Sequence, residues 1–415
     1  MRLFDKLLFF SCGAVLLSLL MPSFGVYSGD QRNELFHKRK SLNGVAYSVR
    51  GAFNSRPGNF LQPSWHEGKG GAANTLSDDG LVFVSSFVDG TTGLQLMRRN
   101  STIVADWSVR FSDHVPETSH LAVPPDGDWK IDIHGALMIP AGDVVFNFER
   151  GGTLKLSRCG KATWTLAHPR HRSLSRALFD GYWILGRDYL NTGEGRHSPP
   201  SPKPATQIGS MTNPILRVSE ERTIEDREPI FGIFYDSGLE ALLIATAHSF
   251  YASENFDTEL VHSSTVTAMP AEDSASLPMF EAGDLLLSVR LYNMLLVVAR
   301  EDWRIRWHQT GPWNRQHDPE FLPDGTISVF DNKGYRLGCS TTDGQSRNSA
   351  CSTQIMNVDT ATGVTRVLFG GRPEERFVSL IRGKIAPQPD GSYMIVEIAE
   401  ARADPVTYFD VTDWS

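Results

Sequence analysis

From residue 81 onward the chain alternates short β-branched and aromatic runs with Gly, Asp and Asn turns. Leu81–Val109, LVFVSSFVDGTTGLQLMRRNSTIVADWSV, reads as brief strands split at such turns and closed by a Trp-containing strand. The grammar returns at Ala136–Leu166, at Leu178–Ile230 around a Pro-rich SPPSPKP insertion, and then from Met279, Phe321 and Ala386. Six copies over the ~340 residues after an N-terminal extension give about 57 residues each, somewhat above the usual length of a propeller blade. Convincing amphipathic helices are scarce. The pattern therefore predicts an all-β, six-bladed β-propeller of four-stranded antiparallel blades, a ring that limits exposed sheet edges by radial repetition. A chain of two-sheet sandwiches is the alternative, and it predicts no common axis.

Ahead of the repeats, Leu7–Val26 is apolar and follows Arg2 and Lys6, which fits a secretory signal or a single membrane anchor. The organisation expected is a leader or anchor over 1–26, a Gly-rich linker and extension over 27–74, and the propeller over 75–415. Such a leader implies a body outside the cytoplasm, periplasmic or membrane-anchored. Cys339 and Cys351 bracket a short Ser/Thr/Gly-rich loop and suit a disulfide there, two free thiols being the other reading.

The charge of -8 over 415 residues is spread without a basic stripe, which argues against nucleic acid as a partner. The sequence lacks GxSxG, HExxH and P-loop patterns, so the familiar hydrolase and nucleotide chemistries find no support. What stands out is a histidine just before the strand that precedes the Asp-Gly or Gly-Asp turn in several copies: His134, His171, His262 and His317. In a propeller that strand is innermost, so residues distant in sequence converge near the axis. A histidine ring binding a metal is a second reading, weakened because no carboxylate or Cys keeps the same phase. Arg290 falls in the otherwise apolar LLLSVRLYN and needs an anionic partner, either a carboxylate or a bound oxyanion. Asp331-Asn332 and the Asp-Gly pairs read as turn residues, and Trp107, Trp164, Trp303 and Trp307 as packing.

The segment Trp307–Asn332, WHQTGPWNRQHDPEFLPDGTISVFDN, resembles the bacterial arylsulfate sulfotransferase family in its Gln-His-Asp, its Leu-Pro-Asp-Gly turn and its Phe-Asp-Asn strand end. FEAGDLLLSVRLYN and the VHSS segment fit the same family's order. The resemblance is strongest over Val261–Asn332 and looser over His134–Asp188. It implies an exported six-bladed propeller that moves a sulfuryl group from an aryl sulfate donor to a phenolic acceptor through a sulfated histidine, with no metal, nucleotide or other cofactor. His317 matches the nucleophile, His262 and Arg290 match residues that bind the sulfuryl oxygens, and His171 matches another site histidine better than His134 does. Two positions depart from the family pattern: Ser264 stands where members have Asn, and Arg172 where a second His is common. These departures sustain a different expectation, a propeller that binds a protein partner or anionic ligand without turnover.

Overall fold

The computed structural model describes residues 79–396, apart from 89–90, 116, 119–124, 126, 129–130, 150, 168–169, 187, 190–210, 246–260, 334–351, 376, 378, 380–381 and 389–391. The leader, the linker, the SPPSPKP insertion and both Cys339 and Cys351 lie outside the described residues. Every described residue belongs to one unit, Gly58–Ser415, and no helix among the described residues is long and apolar enough to cross a membrane.

The strands fall into successive antiparallel sheets. The first has three: β1 (Leu81–Val88), β2 (Thr91–Arg98) and β3 (Ile103–Ser108). The second has four: β4 (Ile133–Met138), β5 (Val144–Phe148), β6 (Gly152–Leu156) and β7 (Ala162–Leu166). The third is made of β8 (Arg170–Arg176), β9 (Tyr182–Gly186), β12 (Pro214–Val218) and β13 (Ile224–Pro229), with a two-residue pair, β10 (Asp188–Tyr189) and β11 (Met211–Thr212), between them in sequence. The fourth runs β14 (Ser263–Ala268), β15 (Leu285–Val289), β16 (Met294–Val298) and β17 (Ile305–Thr310). The fifth runs β18 (His317–Phe321), β19 (Thr326–Asp331), β20 (Gln354–Asp359) and β21 (Thr365–Phe369). After them, among the described residues, comes a hairpin, β22 (Lys384–Pro387) and β23 (Tyr393–Val396).

The described residues thus form a β-propeller of five blades, four of them four-stranded, and not the six expected. The copy read from Ala386 is the one that falls short. Its strands are four residues each and, among the described residues, pair with one another alone. Two short helices, Ile230–Asp236 and Glu240–Ala245, also follow β13 where the sequence promised none.

The middle strands are apolar because both their faces are covered. In β5, alternate residues Val144, Phe146 and Phe148 pack with Leu94 and Trp107 of the first sheet, while Val145 turns the other way to Tyr182, Ile184 and Leu216 of the third. In β15, Leu285, Leu287 and Val289 join Trp183 and Ile215, whereas Leu286 joins Ile327 and Val329 of the fifth. Strand alternation of period two therefore feeds two inter-sheet cores at once. The hairpin is held the same way, Ile385 and Ile395 packing on Phe330 and Phe369. The first strands of successive sheets touch one another around the ring, and the first sheet reaches the hairpin segment through Arg99 Nη2 donating to Gln388 Oε1 at 3.2 Å.

Candidate functional site

The first strands of the fourth and fifth blades are polar yet buried: His317 is 5% exposed, Asp318 7%, and Ser263, Ser264 and Thr265 all lie under 9%. Polar groups shut from water must find hydrogen bonds inside the protein, so this is where defined polar geometry is concentrated. Four of these strands also carry a bulge at the same end. Immediately before it the ladders pair Ile133 with Phe148, Arg170 with Gly186, Ser263 with Val289 and His317 with Phe330. The residues that the ladders then skip are His134, the stretch 171–173, Ser264 and Asp318–Pro319. Bulges of this kind re-aim side chains and recur beside active sites.

That register corrects the single histidine phase read from the sequence. His317 sits on the last paired position before the bulge, His262 one residue earlier, and His134 and His171 one residue later. The histidines share an end of the ring but not a position. His171 and Arg172 are residues of β8.

His317 has the best-defined surroundings. Its Nδ1 lies 2.7 Å from Asn332 Oδ1. Asn332, fully buried, directs its Nδ2 at two backbone carbonyls, Ser379 O at 2.7 Å and Arg382 O at 2.6 Å. Carbonyls only accept, so the amide nitrogen must face them and the amide oxygen must face the ring. In the neutral ring Nδ1 therefore carries the hydrogen, and Nε2 carries the lone pair. Asn332 was read from the sequence as a turn residue; only cross-strand geometry shows it holding His317. Asp331 keeps the turn role, its Oδ1 accepting from the amides of Asn314 at 2.8 Å and Lys333 at 3.1 Å.

The structure brings the His262, Arg290 and His317 segments together. The Arg290 amide donates to the His262 carbonyl at 2.8 Å, and Arg290 opens a 3-10 turn, Arg290–Tyr292, that ends at Asn293 in the left-handed region. The segment leading into His317 docks on that turn: Trp313 Nε1 donates to Asn293 O, the Arg315 amide to Asn293 Oδ1, and Gln316 Nε2 to Met294 O, each at 2.8 Å. Ser264 Oγ donates to Ser288 Oγ at 2.9 Å, and Ser288 Oγ donates to Gln316 O at 3.2 Å. β8 lies alongside β14, the Val266 amide donating to Ser173 Oγ at 3.1 Å.

Next to His317, Asp318 adopts a left-handed φ of 44°. Its carboxylate accepts from the Ile385 amide at 2.7 Å and from Lys384 Nζ at 3.0 Å. Lys384 also reaches Glu320, 3.5 Å away. Burial pushes the Glu320 carboxyl up to about 7, with Lys384 opposing and Asp318 adding to the rise.

His134 belongs to a different cluster. Its Nε2 is 3.3 Å from Glu149 Oε2, and Asp132, His134 and Glu149 place ligand-type atoms within 4.8 Å of one another. Arg382 Nη2 lies 2.9 Å from Asp132 and 3.7 Å from Glu149, so a guanidinium already serves these carboxylates. Among the described side chains, neither His262 nor His317 takes part in this group, which does not match the histidine-ring metal site weighed from the sequence.

An all-β propeller with a buried, amide-oriented histidine defines a class broad in function. The particular likeness comes from comparison: the model for the arylsulfotransferase (ASST) family matches residues 212–412, just under half of the chain, and over that span the chain is similar to this family. The matched span includes His262, Arg290, His317 and Asn332; His134 and His171 precede it. No curated protein matches the chain significantly. Among solved structures it is similar to a protein of unknown function from Bacteroides caccae (10% identity, 78% of this chain and 84% of that one, TM-score 0.43). It is also similar to the Pan2 WD40 domain of Neurospora crassa (9%, 81% and 77%, TM-score 0.40) and to a streptogramin B lyase (12%, 82% and 86%, TM-score 0.38). Likenesses this remote decide nothing about blade number or chemistry.

Proposed function

We propose that this protein transfers a sulfuryl group from an aryl sulfate to a phenolic acceptor by way of a sulfated His317. The observation that carries the reading is the Asn332 contact, 2.7 Å from Nδ1, which leaves Nε2 as the nucleophilic nitrogen in a segment that the family match covers.

In the first half-reaction Nε2 attacks sulfur, an N–S bond forms, and the S–O bond to the aryl group breaks with its electron pair going to the departing oxygen. A protonated site histidine, with His171 the sequence candidate, supplies the proton that this oxygen takes up. In the second half-reaction the acceptor's phenolic oxygen attacks sulfur, the N–S bond returns its pair to Nε2, and the phenol proton passes back to the same base. His262 and Arg290 hold the sulfuryl oxygens in this scheme and stabilise the charge that grows on them. In this reading the apolar segment over 1–26 serves as a secretory signal or a membrane anchor, and the enzyme acts on donors and acceptors outside the cytoplasm.

One observation favours the alternative of a propeller that binds without turnover. Ser264, where the family pattern has Asn, already donates its only hydroxyl hydrogen to Ser288, so it offers no donor to a sulfuryl oxygen. Release of nitrophenol from 4-nitrophenyl sulfate in the presence of phenol separates the two. The transferase predicts release by the wild type and none by His317→Ala; equal release by both proteins would contradict transfer through His317, and no release by a folded wild type over a panel of aryl sulfates supports the binding propeller.

A further inference from the structure

Asn332 orients His317, but an amide can do so only if its own acceptors are fixed. One of them, Ser379 O, is held within the same blade: the Ser379 amide donates to Thr353 Oγ1 at 2.7 Å. The other, Arg382 O, belongs to a residue at a left-handed φ of 61°, a conformation that a non-glycine residue keeps only when its surroundings impose it. Two contacts impose it here. Gly383 follows with φ 111° and lies so close to Phe330, the ladder partner of His317, that a Cβ would stand 2.3 Å from the ring. The Arg382 side chain reaches the second blade, where Nη2 meets Asp132 Oδ2 at 2.9 Å and Glu149 Oε2 at 3.7 Å.

Asp132 directly precedes β4 and Glu149 directly follows β5, and the Glu149 amide donates to the Asp132 carbonyl at 2.8 Å. The two carboxylates are therefore a fixed anchor at one end of the second blade. A chain of contacts runs from this anchor through the Arg382 guanidinium, the Arg382 carbonyl and the Asn332 amide to Nδ1 of His317.

We propose that Arg382 is a positioning residue for His317, its backbone carbonyl set by an ion pair to Asp132 and Glu149 across the ring. The consequence for turnover rests on the sulfotransferase reading; the consequence for the imidazole does not. A guanidinium suits this task because its planar fork reaches both carboxylates from one fixed orientation, which an ammonium matches less well.

The test uses the full chain labelled with nitrogen-15 at histidine, with the His317 signals assigned by their loss in His317→Ala. In the wild type, long-range proton–nitrogen spectra should show a neutral His317 protonated at Nδ1. Arg382→Ala should move His317 to a mixture of tautomers and lower kcat about 10- to 100-fold at nearly constant KM, and Arg382→Lys should restore part of both. Asp132→Asn loosens the anchor from the other blade without touching residue 382, so it should produce the same shift even if Arg382→Ala proves unstable. A His317 spectrum unchanged in both Arg382→Ala and Asp132→Asn, with cooperative melting retained, would overturn the proposal. If the wild type turns over no aryl sulfate, the tautomer shift still decides the proposal while the function fails separately.

Discussion

Replacing Asn332 probes the nucleophile without removing it. Asn332→Ala takes away the acceptor at Nδ1 and also strips Ser379 O and Arg382 O of their shared donor. We expect kcat to fall by about 10- to 100-fold and stability by roughly 1–3 kcal/mol, the usual cost of leaving buried polar groups unmatched; initial rates and thermal melts measure the two separately. Asn332→Asp restores an acceptor for Nδ1 but sets its second oxygen against two carbonyls, so it should melt below Asn332→Ala. Glu320 makes a prediction about pH. Its carboxyl titrates near 7 in the fold, raised above the ordinary 4.5 first by burial, so the native protein holds a proton that the unfolded chain releases between those values. The stabilisation is complete below about 4.5 and disappears as pH rises through about 7. Glu320→Gln should flatten this part of the stability profile and, at pH 8, melt no lower than the wild type, a difference of up to roughly 3 kcal/mol. The loss of its contact with Lys384, which Asp318 also holds, sets the lower bound. An unchanged slope between pH 5 and 7 would show that Glu320 is not the group responsible.

Strands and turns explain which substitutions harm folding and which harm the site. Leu286 is fully buried between the fourth and fifth blades, so Leu286→Ala should cost about 2–5 kcal/mol yet leave the kcat of the folded fraction near wild type. Gly383→Ala should do both kinds of damage, since its Cβ would strike Phe330 and displace the Arg382 carbonyl; denaturant melts alongside rate measurements distinguish the cases. Turns such as PAGD at 140–143 and LPDG at 322–325 were legible because they are written in four consecutive residues, and they located every blade that the structure contains. The helix Ile230–Asp236 was not, because IFGIFYD is a short apolar run that suits a buried strand equally well. The bulges were not legible either: they depend on which residue of the next strand each residue faces. For the same reason Asn332 read as a turn residue, and four histidines displaced by a residue or two looked like one repeated position.

Across the whole molecule, blade number was the least legible property. It depends on how many sheets can pack side by side, and the sequence from Ala386 carries strand-like runs that pair only as a hairpin among the described residues. The Arg382–Asp132 contact was hidden for a related reason, joining residues 250 positions apart that only ring closure brings together. The proposed export makes its own prediction: Met1–Val26 fused to a reporter that is active only outside the cytoplasm should yield active reporter, and an inactive, cytoplasmic fusion would remove that part of the account. The central claim concerns one covalent bond. Mixing the purified wild type with 4-nitrophenyl sulfate and no acceptor, then mapping the quenched protein by mass spectrometry, should find a single sulfuryl group on His317 that disappears when phenol is added. Nitrophenol release accompanied by an unmodified His317, or by a sulfuryl group on another residue that phenol discharges, would contradict it.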